Sequence, residues 1–262
     1  MNKKIKNILK KKNKSKIVSL TAYSKNIAQI LDKYCDIVLV GDSMANVLYG
    51  LKNTHKIDLK NIIQHTLSVK KGIKRSLLVV DMPKGSYNIS TKAKKNAKLI
   101  MKLTKCDAVK IESNNKNFNI IKELVKSKIP VMGHIGYTPQ FKSKFKIEGG
   151  TKKKANKLLN EAKLIEKAGA FSIVLECIAP QTSKLITKNI KIPTIGIGSS
   201  LYCDGQILVT DDMLGISGFY PKFVKKYASL DSVIEKAVKK FTKDVKQIKF
   251  PQKRNFLYGT KH

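Results

Sequence analysis

The chain has 262 residues, 42% of them hydrophobic, which allows one sizeable core and is a usual length for a single α/β barrel. It lacks the run of about 18 apolar residues that a membrane-spanning helix needs, and its Lys- and Asn-rich start, Met1 to Lys16, lacks the apolar centre of a signal peptide. The formal charge of +35 invites a nucleic-acid reading, but of the 53 basic residues only Arg75 and Arg254 are arginines, the type suited to bidentate base and phosphate contacts. The lysines are spread over every expected helix, so a solvated surface and no specific nucleic-acid partner is the reading.

The elements follow in chain order. Residues 1–15 read as a basic leader or short helix, and 16–262 as one domain, a barrel followed by a C-terminal helix. A first strand spans 16–23, and Ser24 is placed to cap the helix after it. Ile37-Val38-Leu39-Val40-Gly41-Asp42-Ser43 is a buried strand ending on a carboxylate and a hydroxyl. A loop from Met44 to Thr54 leads to Asp58, an N-cap for a helix to about Lys71 that Gly72 stops. Strand 76–82, helix 91–104, strand 107–112 and helix 117–127 succeed one another, the strand and second helix joined by a Ser- and Asn-rich loop. Strand 129–136 ends on His134 and Gly136. A lysine-rich loop with Gly149-Gly150 as hinge, helix 151–168, strand 171–177, helix 181–188, strand 192–198 and a short eighth strand at 206–209 complete the pattern. The tail carries a helix at about 230–247. Eight strands alternating with amphipathic helices make an α/β (β/α)8 TIM-type barrel, and no glycine-rich dinucleotide turn supports an open sheet instead. Cys35, Cys106, Cys177 and Cys203 have no paired spacing and read as small buried residues in a reducing compartment.

In such a barrel the C-terminal strand ends share one mouth, so Asp42, Asp81, Glu112, His134 and Glu176 converge there. Close, bare carboxylates repel, and a divalent cation of the Mg2+ kind removes that conflict; one strand-end Asp alone is as easily a helix cap. Lys110 and Glu112, two apart on a strand, point to the same face. A buried Lys110 serves an anion, a Schiff base or a neighbouring acid. His134 is a ligand, a proton carrier or a hydrogen-bonded core residue. The apolar flanks of Glu176 suit a general acid or base. Together these give a Mg2+-dependent barrel enzyme that acts on a small anion, with enolisation of a 2-oxo acid as the reaction best served.

The stretches Thr21-Ala22-Tyr23, Val40-Gly41-Asp42-Ser43, Asp81-Met82-Pro83, Val109-Lys110-Ile111-Glu112, Gly133-His134-Ile135-Gly136-Tyr137-Thr138-Pro139-Gln140, Leu175-Glu176-Cys177, Gly196-Ile197-Gly198 and Asp204-Gly205-Gln206-Ile207-Leu208-Val209 occur in the order found in a known family. The chain resembles ketopantoate hydroxymethyltransferases. The resemblance implies that Asp42, Asp81 and Glu112 hold Mg2+, that Asp42, Ser43, Asp81 and Lys110 meet the 2-oxo acid, and that Glu176 is the catalytic base. His134 lines the site. It implies 3-methyl-2-oxobutanoate and 5,10-methylenetetrahydrofolate as substrates, 2-dehydropantoate as product, a cytoplasmic location and a homo-oligomer, a decamer in many members.

Three departures stand out. Ser24 replaces a usual Asp. The 141–150 loop reads Ser143-Lys144-Phe145-Lys146-Ile147-Glu148-Gly149 in place of a glycine pair and a Val-Gln-Gly run, which bears on closure and folate binding. The leader is unusually basic. The alternative activity is a Mg2+-dependent C–C lyase or mutase of the phosphoenolpyruvate mutase and isocitrate lyase kind, whose Lys-x-Cys-Gly-His-type loop does not occur in this sequence.

Overall fold

A computed structural model describes residues 2–113, 117–142, 145–218 and 220–256. The chain forms two compact units, 1–210 and 211–262. In the first, strands β1 (Ile17–Thr21), β2 (Ile37–Val40), β3 (Leu77–Asp81), β4 (Ala108–Glu112), β5 (Val131–Gly136), β6 (Ser172–Glu176), β7 (Thr194–Ile197) and β8 (Gly205–Leu208) pair in sequence order. Every pairing is parallel, and β8 returns to β1 to close the barrel. The expected eight-stranded α/β barrel forms.

Side chains alternate along each strand, which sorts the apolar residues into two cores. Ile37, Leu39, Leu77, Val79, Ala108, Met132, Val174, Ile195 and Ile207 fill the barrel interior. Val38, Val40, Leu78, Val80, Val109, Ile111, Ile173 and Leu175 face outward into the helical layer. That layer includes α2 (Lys25–Leu31), α4 (Leu59–Lys70), α5 (Ser90–Thr104), α6 (Phe118–Lys126), α7 (Lys152–Lys167) and α8 (Pro180–Asn189). Strands buried on both faces explain the continuous apolar runs of the sequence.

The leader proves to be part of the barrel. Helix α1 (Lys3–Lys10) buries Ile5 and Ile8 against the interior core at the N-terminal strand ends. Lysines of α1 and of the segment just after it meet acids that stand just before strands. Lys11 Nζ lies 2.8 Å from Asp36 before β2, and Lys4 Nζ 3.4 Å from Asp107 before β4. Lys12 Nζ lies 2.8 Å from the buried Asp204 before β8. The basic start is therefore a plug whose charges clip three strand ends, those of β2, β4 and β8, to it.

Three local expectations change. The segment after β2 is not a plain loop: it holds α3 (Met44–Val47) and a 3-10 turn at Thr54–Lys56. Ser24 occupies the N-cap of α2 without a side-chain cap bond, whereas Asp58 caps α4 reciprocally with Asn61. Gly72 lies just past the Lys71 C-cap of α4 and is required there by room rather than by a left-handed turn: a Cβ would lie 2.5 Å from the Lys25 carbonyl oxygen. Ser143 and Lys144 of the altered loop, and Asn114 and Asn115 of the polar loop, lie outside the described residues.

The second unit contains most of a short helix α9 (Thr210–Leu214) and α10 (Leu230–Lys246). Helix α10 is amphipathic yet buries none of its residues, and Val233, Ile234, Val238, Phe241 and Val245 are all exposed. Among the described residues no helix is long and apolar enough to cross a membrane.

Removing three carbons from the plug leaves a void at the closed end of the barrel. Ile5→Ala should lower the unfolding free energy by about 2–4 kcal/mol, read from the denaturation midpoint. A loss under about 0.5 kcal/mol, ordinary for a surface site, would mean that α1 does not pack as described.

Candidate active site

Strand register alone assembles most of the site. Asp81 on β3 is the Cα partner of Lys110 on β4, and Glu112 that of His134 on β5. Gly136 on β5 pairs with Glu176 on β6. The inward positions of β3 to β6 thus carry Asp81, Lys110 with Glu112, His134 and Glu176 around one rim. β2 ends at Val40, earlier than its apolar pattern implied, so Asp42 and Ser43 sit on the turn into α3.

Two glycines make this packing possible. A Cβ on Gly41 would stand 2.9 Å from Ser43 Oγ and 3.4 Å from Asp81 Oδ2. Its absence lets the Asp42 backbone N–H donate to Asp81 Oδ2 at 3.1 Å. Gly136 has φ +99°, and a Cβ there would strike the Glu176 carbonyl oxygen. That oxygen accepts from the Tyr137 N–H at 2.8 Å, which ties the end of β5 to the end of β6. Cys177, next to Glu176, takes φ +52°, a left-handed conformation costly for a residue with a Cβ.

All the residues singled out from sequence come together. Lys110 Nζ donates to Asp81 Oδ1 at 2.6 Å, both side chains being buried. Ser43 Oγ is 2.8 Å from the Tyr23 hydroxyl. His134 stands between two acids, with Nε2 3.2 Å from Glu176 Oε2 and Nδ1 3.7 Å from Glu112 Oε1. Neither approach is a hydrogen bond, and among the described residues both ring nitrogens are buried without a hydrogen-bond partner. The Glu176 side chain retains 16% exposure, so it faces the open side of the mouth.

The electrostatics follow from four acids sharing a largely buried site. Burial, then the neighbouring Asp81, pushes the Asp42 carboxyl up to about 7, against the pull of Lys110 and Gln140. Burial and Asp42 hold Glu112 well above the usual carboxylate range. Burial pushes Glu176 up to about 8. Burial alone would lower Lys110, but Asp81, Glu112 and Asp42 together raise it. Burial, then Lys110, drives His134 well below its ordinary value, so the ring is neutral and makes no ion pair with its flanking acids.

The donor set fits a hard divalent cation. The donors are carboxylate oxygens, they repel one another, and protons or a cation must relieve them. Among the described residues no three His, Cys, Asp or Glu side chains already form a closed ligand cage. Oxygen donors of this kind suit Mg2+, whose shell one or two carboxylates share with substrate and water.

Sequence reasoning missed Gln140 and Tyr87. Gln140 reaches both Asp42 and Glu112, and the Tyr87 hydroxyl donates to Gln140 Oε1 at 2.5 Å. Gln140 lay in plain view in the Gly133–Gln140 motif, but a neutral amide on a turn carries no charge pattern to mark it. A cleft of about 320 Å3 opens beside β5, with Ser113, Thr138, Phe141, Lys142 and Lys154 in its wall.

Comparison with known proteins agrees with this architecture. A phosphoenolpyruvate phosphomutase from Streptomyces platensis subsp. rosaceus superposes with a TM-score of 0.64 over 93% of this chain and 87% of its own, at 10% identity, which bears on fold alone. The 3-methyl-2-oxobutanoate hydroxymethyltransferase of Pelagibacter ubique is 53% identical over 255 residues, 97% of this chain and 99% of that protein. The enzyme of the same name from Clostridioides difficile is 45% identical, over 92% of this chain and 90% of its own length. The family model for ketopantoate hydroxymethyltransferase matches residues 2–253. With the barrel, its rim of acids and these relatives in agreement, the chain belongs to the ketopantoate hydroxymethyltransferase family.

Proposed function

We propose that the chain transfers a hydroxymethyl group to C3 of 3-methyl-2-oxobutanoate to form 2-dehydropantoate, a step of pantothenate synthesis. The observation that carries this reading is the buried acid rim with the Lys110 ammonium set into it. The one-carbon donor is 5,10-methylenetetrahydrofolate, and one water is consumed per turnover to supply the hydroxyl oxygen. The products are 2-dehydropantoate and tetrahydrofolate.

Asp42, Asp81 and Glu112 would hold Mg2+. The bound cation supplies Lewis-acid stabilisation of charge that develops on the 2-oxo oxygen. Lys110 and Ser43 hold the substrate carboxylate; Lys110 is already anchored on Asp81 and needs little reordering to do so. Glu176 takes the C3 proton. Its raised affinity for a proton, the result of burial, makes it a stronger base than an exposed carboxylate. His134 lines the site as a neutral ring beside that base and donates no charge to it. The carbanionic C3 then forms its bond to the one-carbon unit. The cleft beside β5, whose wall mixes lysines with Glu148 and Glu161, offers room for the co-substrate.

We also place the enzyme in the cytoplasm, which suits four buried cysteines without a disulfide. It acts as a homo-oligomer, a decamer by analogy with its family, and the exposed apolar face of α10 supports self-association. Native mass spectrometry should report a multimer, and Phe241→Lys should shift it toward smaller species; a monomeric native chain would remove this part of the reading.

The proton transfer can be isolated from the rest of the cycle. With Mg2+ and without folate, the protein should exchange the C3 proton of 3-methyl-2-oxobutanoate for deuterium, followed by NMR. Glu176→Gln should slow that exchange by roughly 100- to 10,000-fold. Exchange at the native rate would exclude Glu176 as the base.

Metal and pH are linked through Asp42. Its carboxyl sits at about 7 in the folded chain against an ordinary 3.8. Between those values the folded state keeps a proton that the unfolded chain has released, so stability falls as pH rises through that window. The melting temperature of the metal-free protein should therefore drop from about pH 5 to about pH 8, and Mg2+ should raise it more at the higher value. Equal Mg2+ increments at both would contradict a site built on these acids.

A further inference from the structure

We propose that Gln140 is a positioning residue that sets the attitude of Asp42 and Glu112 and thereby the cation affinity of the site; the proposal rests on the reading that these acids hold a divalent cation. Gln140 is 1% exposed, and each of its hydrogen-bonding groups but one carbonyl has a partner at the rim. Its side-chain Nε2 donates to Asp42 Oδ2 at 2.9 Å and to the Met82 carbonyl oxygen at 3.0 Å. Its backbone N–H donates to Glu112 Oε2 at 3.0 Å. One residue of the turn after β5 thus grips an oxygen from each of two acids, one on the turn after β2 and one at the end of β4.

The amide has one workable orientation. Turned over, Oε1 would face a carboxylate and a carbonyl, both acceptors, and the Nε2 amide would face the Tyr87 hydroxyl. Asp42 and Met82, acceptors only, fix this orientation, and the Tyr87 hydroxyl completes it by donating to Oε1 at 2.5 Å. Burial and the nearby Glu112 keep that phenol protonated, so it remains a donor. The backbone around Gln140 is fixed as well: the Phe141 and Lys142 N–H groups both donate to the Thr138 carbonyl. Lys142 Nζ then ties the turn to the Gly136 carbonyl and to Glu148 Oε1, each at 2.7 Å.

An acid that repels its neighbours swings away unless something neutral holds it. Gln140 does this without adding charge, so the acids stay close while their demand for a cation is undiminished. Loss of a partner that orients a metal-binding side chain commonly lowers affinity by 10- to 100-fold.

The test measures Mn2+ binding to the intact protein by electron paramagnetic resonance, with no substrate present. Gln140→Met keeps the length of the side chain and removes both amide functions; it should weaken Mn2+ by about 10- to 100-fold. Tyr87→Phe, the milder variant, removes one anchor of the amide while Asp42 and Met82 still hold Nε2, and should fall between this variant and the native protein. Lys142→Met loosens the same turn without touching either acid and should bind Mn2+ within about twofold of native. Turnover of Gln140→Met should recover at high Mg2+, as a raised metal KM with kcat largely kept. Binding by Gln140→Met within about twofold of native overturns the proposal. An equal loss in Lys142→Met also overturns it, because general loop anchoring would then explain both. If the native protein takes up no Mn2+, the metal reading and this proposal fall together, an outcome distinct from a native site that Gln140→Met leaves intact.

Discussion

The structure depends on a conflict of charge that the barrel holds in place. Asp42, Asp81 and Glu112 are buried together, and Glu176 stands across the neutral His134 ring from Glu112. Lys110 offsets one of these charges through its 2.6 Å bond to Asp81. The remainder is balanced by raised proton affinity at Asp42, Glu112 and Glu176. Such an arrangement is costly in a protein without a ligand, and it persists because the surrounding strands leave the side chains nowhere else to go. A barrel provides that confinement well: each acid sits at the end of a different strand whose register is fixed by two neighbours.

The far end of the barrel bears on the same problem. Strand ends can only confine the rim if the barrel does not shear or open below it. The α1 plug supplies apolar contacts from Ile5 and Ile8 inside the barrel, and its lysines reach Asp36, Asp107 and Asp204 beside three different strands. The exposed pairs among these contribute little individually. Lys12 with Asp204 is better protected, and Asp204 also accepts from the Thr194 N–H and hydroxyl, so that pair joins α1 to β7 and β8.

The sequence displayed the fold through strand-length apolar runs, because strands covered on both faces have no polar side to dilute them. The same runs announced the site, since Asp81, Glu112 and Glu176 are conspicuous at the ends of such strands. What stayed hidden was set by contacts rather than pattern. Helix α3 is four residues long, too short to show a period. The plug looked like a charged leader because only Ile5, Ile8 and Leu9 interrupt its lysines and asparagines. Gln140 and Tyr87 are neutral residues 53 positions apart, joined only when the turn after β5 folds over the end of β3. Ser24 shows the converse: a residue of the right type at an N-cap makes no cap bond.

The lysine excess bears on function through the order in which the site fills. The substrates of the proposed reaction, a 2-oxo acid and a reduced folate, are both anions, and a surface of formal charge +35 would draw them from a distance set by ionic strength. The mouth itself has the opposite sign, with buried acids that repel an incoming carboxylate once their protons are lost. On the proposed reading a divalent cation reverses that local field, so the cation precedes the 2-oxo acid. Lys110 alone cannot perform the reversal, because its charge is already taken up by Asp81. The surface therefore governs encounter, while the pairing of Asp42 and Glu112 through Gln140 governs whether an anion that arrives finds a site able to accept it.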